Sequence, residues 1–410
     1  MKVMPGSIAG ELKAPSSKSM MQRAVAIAAL AKGKTTITNP SFCDDSLAAI
    51  SIAKALGAEI EVKEDSVIVN ATRELKSDII NCNESGLCMR MFSPIAALFD
   101  KEITLTGSGS LLSRPVTMIE QPLTLLGAEI KTNNGLPPVR IKGPIRGGKI
   151  IVDGSISSQF ISGLLIALPL CKEDSEIEII DLKSKGYVAM TESMIFTFGA
   201  NVQIDDLMKK VVVNGNQSYH GREFAVDGDW SGSSFLLVAG AIAGEVNVNT
   251  LGNSMQPDQQ IKSVLMDVGA ELVLNSDEIF VSKSELRAFE FDATDSPDLF
   301  PPLVALACNC KGKSVIHGVE RLAHKESNRA HVLVHEFTRI GADIKINGNR
   351  MEITGKKLRG GIVDSNGDHR IAMAGAVAAL TSENGVEIKN PECVSKSYPE
   401  FFEDLKRLRT

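Results

Sequence analysis

The chain has 410 residues, of which 43% are hydrophobic, and it carries a formal net charge of −6 at pH 7. This length exceeds the size at which one hydrophobic core keeps growing, so we expect two domains, and the acidic balance excludes a general nucleic-acid binder with a basic field. The seven cysteines form no CxxC pair, so we expect reduced thiols. The stretch MKVMPGSIAG is too short and too polar for a signal peptide, and no apolar run is long enough to span a membrane. We therefore expect a cytoplasmic protein.

In chain order, the first predicted elements are a strand in SIAGELKAP, residues 7–15, and an apolar helix in KSMMQRAVAIAALAKGKTTIT that leads into another strand. The same helix and strand recur five more times. The segments are ESGLCMRMFSPIAALFDKEITLT, SSQFISGLLIALPLCKEDSEIEII, GSSFLLVAGAIAGEVNVN, PDLFPPLVALACNCKGKSVIH and DHRIAMAGAVAALTSENGVEIK. Their composition predicts six small apolar helices, each followed by a strand.

A second helix in each period ends at a glycine, and a short hairpin follows it. The segments are AKALGAEIEVKEDSVIVN, LTLLGAEIKTNNGLPPVRI, FTFGANVQIDDLMKKVVVN, MDVGAELVLNSDEIFVS and TRIGADIKINGNRMEIT. Their junction glycines are Gly57, Gly127, Gly199, Gly269 and Gly341, at intervals of 70, 72, 70 and 72 residues. A glycine at this place ends a helix in a left-handed cap, and the alternating residues after it predict two strands.

The repeat also predicts how the chain is divided. Six periods would need about 420 residues, and a sixth junction glycine is due just beyond Thr410. We expect the strand in residues 7–15 to supply the missing hairpin strand of the last unit. This predicts an α/β (α+β) protein with three units in each of two domains, one formed by 15–226 and one by 1–14 plus 227–410. An open solenoid of six stacked repeats is the alternative.

Polar and ionisable residues recur at the predicted starts of the helices once the repeats are aligned. At the first helices they are Lys18, Ser19 and Arg23; Gly86 with Arg90; Ser157, Ser158 and Gln159; Asp229 with Ser231; Asp298; and Asp368, His369 and Arg370. At the second helices they are Asp44 and Asp45; Arg114; Lys185 with Tyr187; Asp258; Lys325, Glu326 and Arg329; and Lys396.

Carboxylates are common at the N-termini of helices, but cations are unfavourable there, so the cations at these positions need an explanation. A helix N-terminus carries unpaired N–H groups and a partial positive charge of about half a unit. Aspartates such as Asp44, Asp45 and Asp258 are therefore interpreted as caps. A cation is disfavoured there unless an anion lies between it and the helix end. The cations concerned are Lys18, Arg114, Lys325, Arg370 and Lys396.

The spacing of these residues supports one shared face on each helix. Ser19 and Arg23 are four residues apart, as are Lys325 and Arg329, so each pair projects from one side of its helix. Taken alone, the second cluster is also typical of a solvated salt-bridge ladder, but it is in phase with five similar clusters. We predict a small substrate with carboxylate and phosphate groups, and two acids, Asp298 and Glu326, that can move protons.

The stretches PSSKSMMQRAVAIAALAKGKTTITN, DGSISSQFISGLLIALPL, HKESNRA and NGDHRIAMAGAVAAL resemble the 3-phosphoshikimate 1-carboxyvinyltransferase (EPSP synthase) family, in order along essentially the whole chain. The resemblance implies two domains of three βαβαββ units, arranged as pseudo-threefold inverse α/β barrels, with an active site in the cleft between the domains. It implies transfer of the enolpyruvyl group of phosphoenolpyruvate to the 5-hydroxyl of shikimate 3-phosphate by addition and elimination. The products would be 5-enolpyruvylshikimate 3-phosphate and phosphate, in the shikimate pathway to chorismate and aromatic amino acids.

The resemblance also implies a reaction without a metal or an organic cofactor. We further expect a monomer without nucleic-acid or membrane partners. Binding of shikimate 3-phosphate is implied for Lys18, Ser19, Arg23, Ser157, Ser158, Gln159, Ser184, Asp298 and Lys325. Binding of phosphoenolpyruvate is implied for Lys18, Gly86, Arg114, Gln159, Arg329, Arg370 and Lys396. For catalysis, Asp298 would take the proton of the 5-hydroxyl, Glu326 would handle the proton at the methylene carbon, and Lys18 would reach phosphoenolpyruvate.

Several positions depart from the family pattern. Ser17 replaces a loop glycine, and Arg321 and Asn328 stand where the family often has Asn and Asp. Glu84, Leu87 and Met91 replace Asn, Thr and Pro of the usual NAGTAMRP stretch; these three departures are confined to ESGLCMRM.

Two other functions remain as alternatives. UDP-N-acetylglucosamine enolpyruvyltransferases share the implied fold and the phosphoenolpyruvate donor. They typically have Lys-Asn where this chain has Lys18 and Ser19, and a reactive Cys or Asp in the loop that reads GSGSLLSRPV here, which contains no Cys. The other alternative is a non-catalytic relative that binds anions, in which changes at Asp298 and Glu326 would have no effect.

Overall fold

A computed structural model describes residues 1–72 and 74–410. The chain divides into two compact units, which we name the split unit, Met1–Ser17 with Asp227–Thr410, and the continuous unit, Lys18–Val226. The N-terminal segment of the split unit reaches Ser17, whereas the sequence analysis ended it at residue 14. Each unit has its own hydrophobic core. No helix in the described part of the chain is long and apolar enough to cross a membrane.

The N-terminal segment contributes two short strands, β1 (Lys2–Val3) and β2 (Glu11–Lys13). The described helices of the continuous unit are α1 (Lys18–Ala28), α2 (Asp44–Ala55), α3 (Gly86–Ala96), α4 (Glu120–Leu125), α5 (Ser158–Ala167) and α6 (Lys185–Thr197). Its strands are β3 (Lys34–Thr38), β4 (Ala58–Val62), β5 (Ser66–Ala71), β6 (Ile79–Asn81), β7 (Glu102–Thr106), β8 (Glu129–Asn133), β9 (Leu136–Lys142), β10 (Gly148–Asp153), β11 (Ser175–Ile180), β12 (Gln203–Ile204), β13 (Lys210–Val213) and β14 (Glu223–Ala225). Short 3₁₀ helices lie at Gly109–Ser113, Thr117–Ile119 and Leu168–Leu170.

The rest of the split unit continues the same alternation. Its helices are α7 (Trp230–Ala243), α8 (Ile261–Asp267), α9 (Phe300–Ala307), α10 (Arg329–Arg339), α11 (His369–Ala379) and α12 (Phe401–Arg407). Its strands are β15 (Glu245–Asn249), β16 (Glu271–Leu274), β17 (Glu278–Ser282), β18 (Glu290–Asp292), β19 (Lys313–His317), β20 (Asp343–Asn347), β21 (Arg350–Thr354), β22 (Gly361–Asp364) and β23 (Val386–Lys389). The 3₁₀ helices are Pro257–Gln260, Pro297–Leu299, Val319–Leu322 and Pro391–Lys396.

The strands form sheets of one recurring topology, in which two parallel neighbours lie beside an antiparallel hairpin. The continuous unit has the orders β14-β3-β5-β4, β6-β7-β9-β8 and β10-β11-β13-β12. The split unit has β2-β15-β17-β16, β18-β19-β21-β20 and the three-stranded β22-β23-β1. Each unit thus has three sheets, of which only the last sheet of the split unit lacks a fourth strand, and this confirms the predicted fold of three repeats per domain.

The prediction for the N-terminal strand was wrong in its residues. Strand β1 pairs antiparallel with β23, Lys2 opposite Glu387, and so completes the last sheet. Strand β2, which lies inside residues 7–15, instead pairs parallel with β15. Strands of two or three residues carry no periodicity that distinguishes one partner from another, so the pairing was decided by tertiary packing.

The junction glycines behave as the repeat predicted. All five have positive φ angles, between 86° and 107°. A residue with a Cβ is disfavoured in this left-handed region, whereas glycine adopts it without a steric penalty. Each helix therefore stops at its glycine and the chain reverses into the hairpin.

The apolar helices lie at the centres of the units. Helices α1, α3 and α5 are largely buried in the continuous unit, and α7, α9 and α11 in the split unit. Helix α5 approaches α3 so closely that a Cβ on Gly163 would lie 2.4 Å from the carbonyl oxygen of Met91. In the split unit α7, α9 and α11 contact one another pairwise. Many of the predicted site residues of each unit lie at or near the starts of its central helices.

Candidate active site

Two central helices of the continuous unit, α3 and α5, begin with neutral residues. The hydroxyl of Ser85 caps α3 by accepting a hydrogen bond from the Cys88 N–H, and that of Ser157 caps α5 by accepting one from the Gln159 N–H. A neutral cap leaves the partial positive charge of the helix end uncancelled. The predicted ligands Gly86 and Ser158 are the first residues of these two helices.

Ser184, another predicted ligand, stands directly before α6. It adopts a left-handed backbone conformation with φ 56° and ψ 47°, and its side chain does not cap the helix. A non-glycine residue in this region costs about 1–3 kcal/mol and persists where the surroundings impose it, which happens often at functional sites. Ser184 is one of ten non-glycine residues with positive φ in the described part of the chain, so its role as a ligand stays a prediction.

Lys18 begins α1 and pairs with Asp45, whose carboxylate lies 3.1 Å from the ammonium group. The interpretation of Asp44 and Asp45 as caps was wrong, because α2 begins at Asp44 with Cys43 at its N-cap and no side-chain cap hydrogen bond. The protein itself therefore supplies one anion beside this cation.

Arg23 is buried in α1 and is held by neutral oxygens. Its Nε donates to Thr191 Oγ1 at 2.8 Å, Nη1 to the Ser19 carbonyl at 2.9 Å, and Nη2 to Ser162 Oγ at 3.1 Å. Its guanidinium carbon also lies 5.6 Å from the centre of the Tyr187 ring. Burial lowers the pKa of Arg23 to about 10, so the guanidinium remains charged at neutral pH. No carboxylate accepts a hydrogen bond from Arg23 among the described residues, which leaves a buried positive charge suited to an anionic ligand.

Sequence reasoning did not assign Thr191 or Ser162 to the site. Both are fully buried hydroxyls in helices, α6 and α5. The signal that was available is a polar residue inside an apolar helix, since a buried hydroxyl needs a hydrogen-bond partner.

Arg90 connects two of the predicted phosphoenolpyruvate ligands. From α3, its Nη1 donates to Gln159 Oε1 at 2.9 Å and its Nη2 to the Pro115 carbonyl at 3.1 Å, next to Arg114. The alignment of the repeats predicted that Arg114 starts a helix. This was wrong, because Arg114 follows the 3₁₀ helix Gly109–Ser113. Its guanidinium lies against Gly86, where a Cβ would be 2.7 Å from Nη1.

In the split unit, Arg329 is the centre of a buried network of charges. Its Nη1 donates to Asp298 at 2.9 Å and its Nη2 to Glu326 at 2.6 Å. Its Nε and Nη2 donate to the two carboxylate oxygens of Asp368 at 2.9 and 3.2 Å. The structure thus brings together two residues predicted for catalysis, Asp298 and Glu326, around one guanidinium.

Asp298 also receives two further cations. Lys325 Nζ lies 3.3 Å from its Oδ1, and Arg370 Nη2 lies 3.2 Å from its Oδ2. Burial raises the pKa of Asp298, but the charges of Arg370, Lys325 and Arg329 together outweigh burial and hold that pKa well below its usual value. Asp298 is therefore a carboxylate at neutral pH, able to accept a hydrogen bond or a proton.

The same environment changes the pKa values of the cations. Burial lowers the pKa of Lys325, although Asp298 and Glu326 act in the opposite direction. For Arg329, burial also favours the neutral form, but three carboxylates outweigh it and raise the pKa above its usual value. Three cations and three carboxylates therefore lie in this cluster with balanced formal charge.

Asp368 is one of the ionisable residues at predicted helix starts, and the sequence predicted no role for it in binding or catalysis. Fully buried at the N-cap of α11, it accepts from the Arg370 N–H at 3.0 Å and from Ser327 Oγ at 3.1 Å. Lys396 ends the 3₁₀ helix Pro391–Lys396, which packs against α11, and it is buried. Asp258, interpreted as a cap, lies inside the 3₁₀ helix Pro257–Gln260, and Gln256 occupies the N-cap.

One group of side chains in the described residues could hold a metal ion. Glu326, Asp368 and His369 each offer a ligand atom, and these atoms lie within 4.8 Å of one another. Both carboxylates already accept hydrogen bonds from Arg329, whose positive charge offsets part of their negative charge. A second cation would have to compete with this guanidinium, so the donor set does not fit a resident metal well.

Comparison with known proteins gives one consistent family. The model of the family described as EPSP synthase (3-phosphoshikimate 1-carboxyvinyltransferase) matches residues 3–405. A 3-phosphoshikimate 1-carboxyvinyltransferase of Clostridium perfringens is 38% identical over 413 residues, covering 99% of this chain and 97% of the relative. One of Methanocorpusculum labreanum is also 38% identical, with the same coverage. The structure of an EPSP synthase from Acinetobacter baumannii superimposes with a TM-score of 0.85 at 27% identity, covering 100% of this chain and 98% of that one.

Proposed function

Because this chain belongs to the EPSP synthase family, we propose that it transfers the enolpyruvyl group of phosphoenolpyruvate to the 5-hydroxyl of shikimate 3-phosphate. The 5-oxygen bonds to C2 of phosphoenolpyruvate while C3 gains a proton. Loss of a proton from C3 then restores the double bond as the bond between C2 and the phosphate oxygen breaks and phosphate leaves. Family membership over almost the whole chain is the observation that carries this proposal.

We assign shikimate 3-phosphate chiefly to the residues of the continuous unit. Arg23 supports this assignment because it is buried, charged and held only by neutral acceptors, so an anionic group would supply its missing counter-charge. The hydroxyl caps leave helix N-termini that attract anions. The proposed ligands here are Lys18, Ser19, Arg23, Ser157, Ser158, Gln159 and Ser184, with Asp298 and Lys325 from the split unit.

We assign phosphoenolpyruvate to the cations that the structure holds in fixed positions. Arg329 and Arg370 are fixed by carboxylates, and the buried guanidinium of Arg114 lies against Gly86. Fixed cations stabilise negative charge that develops on the carboxylate and the departing phosphate without reorganising during the reaction. The proposed set is Lys18, Gly86, Arg114, Gln159, Arg329, Arg370 and Lys396.

Asp298 and Glu326 are the proposed proton-transfer groups. Asp298 is ionised, because three cations hold its pKa well below the usual value, and it would accept the proton of the 5-hydroxyl. A carboxylate with so low a pKa is a weak base. Anionic substrates that share the charge of Arg370 and Lys325 would strengthen it. Glu326, bonded to Arg329, would deliver and remove the proton at C3.

The test is an assay of phosphate release. Phosphoenolpyruvate and shikimate 3-phosphate together should release phosphate, whereas phosphoenolpyruvate with UDP-N-acetylglucosamine should release none. Asp298→Ala and Glu326→Ala should each reduce kcat by at least about a hundredfold, the typical contribution of a proton-transfer group. Absence of phosphate release from the wild-type protein in the first mixture would refute the proposal.

We further propose that the protein is a cytoplasmic monomer. The free cysteines, most of them buried, are typical of a reducing compartment. Light scattering coupled to size-exclusion chromatography should give the mass of one chain, 43.9 kDa. A dimer mass at micromolar concentration would contradict this.

A further inference from the structure

The loop of residues 107–115, which we name the Arg114 loop, places a proposed ligand without the support of a regular helix. Arg114 follows the 3₁₀ helix Gly109–Ser113 and adopts an extended conformation, with φ −88° and ψ 131°. Only 7% of Arg114 is exposed. The position of its guanidinium against Gly86 therefore depends on what fixes the loop.

Glu84 contacts the middle of this loop. Its Oε2 accepts a hydrogen bond from Ser110 Oγ at 3.0 Å and a longer one from the Ser110 N–H at 3.4 Å. A Cβ on Gly109 would lie only 2.1 Å from Glu84 Oε1, and Gly109 has φ 52°. The carboxylate thus lies directly against the loop backbone at a place that only glycine leaves open.

The two ends of the loop are fixed by other groups. The Ser108 N–H donates to the Asn83 carbonyl at 2.8 Å, and Arg90 Nη2 donates to the Pro115 carbonyl. Leu111 is buried in the core of the continuous unit. Between these two ends, the loop is held by the charge-assisted hydrogen bond from Ser110 Oγ to Glu84. Such bonds are about twice as strong as neutral ones.

We propose that Glu84 is a positioning residue for Arg114: its carboxylate holds the Gly109–Ser113 turn, and through it the guanidinium that binds phosphoenolpyruvate. This inference rests on the proposed function. Glu84 stands where the sequence analysis found the family's Asn, so the carboxylate would be a feature of this chain's own way of fixing the loop.

The experiment compares Glu84→Ala, Glu84→Gln and the control Glu102→Ala, which removes an exposed carboxylate in the same unit. Steady-state phosphate release is measured as a function of each substrate. Glu84→Ala should raise KM for phosphoenolpyruvate about tenfold, the effect of one charge-assisted hydrogen bond. KM for shikimate 3-phosphate and kcat should stay within about twofold. Glu84→Gln, which keeps an acceptor for Ser110, should recover most of the loss, and Glu102→Ala should match the wild type.

A double variant separates positioning from direct contact. If Glu84 acts through Arg114, Glu84→Ala should raise KM for phosphoenolpyruvate no further in an Arg114→Ala background. Additive effects, an unchanged KM in Glu84→Ala, or a parallel loss of kcat and thermal stability would each overturn the inference. An inactive wild-type protein would instead refute the proposed function, so the two failures are distinguishable.

Discussion

The substitution Asp368→Asn tests whether the buried charge network of the split unit is as tightly coupled as its geometry indicates. The wild-type carboxylate is fully buried and accepts four hydrogen bonds, two from Arg329, one from Ser327 Oγ and one from the Arg370 N–H. Asparagine has nearly the same volume, so the variant leaves no cavity. It removes the negative charge and replaces one acceptor oxygen by an NH₂ group.

The magnitude follows from which bonds asparagine can keep. If its oxygen retains the N-cap bond to the Arg370 N–H, its NH₂ group must face Arg329 Nε, a donor. One charge-assisted bond is lost, worth about 1.5–3 kcal/mol. Breaking a buried ion pair costs about 3–5 kcal/mol, but Arg329 keeps Asp298 and Glu326 as partners. We therefore expect a loss of about 3 kcal/mol, or roughly 6–12 °C in Tm for a domain of this size.

The assay is thermal unfolding followed by calorimetry at neutral pH, with Asp343→Asn as the matched control. Asp343 is an exposed aspartate on β20 of the same unit, and its variant should unfold within about 0.5 kcal/mol of the wild type. If the two units unfold in separate transitions, only that of the split unit should shift. A Tm of Asp368→Asn within about 1 °C of the wild type would refute the reasoning that this carboxylate is coupled to Arg329.

Three further predictions concern residues of the proposed site. Gly86→Ala places a Cβ 2.7 Å from Arg114 Nη1, so the guanidinium must move. KM for phosphoenolpyruvate should therefore rise about tenfold without a loss of Tm. An unchanged KM would contradict this. Thr191→Val removes the acceptor of Arg23 Nε, so KM for shikimate 3-phosphate should rise about fivefold while KM for phosphoenolpyruvate stays constant; equal effects on both would count against the assignment. Because cations hold the pKa of Asp298 well below its usual value, its contribution to stability is present above the unfolded-state pKa and is lost only as pH falls through the lower native value. Carbon NMR can follow the protonation of the Asp298 carboxyl. If it showed this group titrating between about pH 5 and 8, that result would contradict the prediction.

The sequence by itself determined the repeat, and it predicted clusters of ionisable residues at the starts of helices. Five glycines at near-equal intervals predicted helix ends that the structure shows with positive φ, because a left-handed cap is a local property of one residue type. The apolar helices followed from composition in the same way. Five of the six predicted site residues of the split unit lie in one cluster of ion pairs: Asp298, Lys325, Glu326, Arg329 and Arg370.

Tertiary structure alone decided which groups are partners. The sequence predicted an external anion beside each cation, yet Lys18 pairs with Asp45, and Arg370 with Asp298 across 72 residues of chain. The sequence likewise does not show that Thr191 and Ser162 are the partners of Arg23, or which of β1 and β2 joins the last sheet. A cap or a helix end depends on neighbours within a few residues, whereas a salt bridge or an edge strand depends on which distant segments the core brings together.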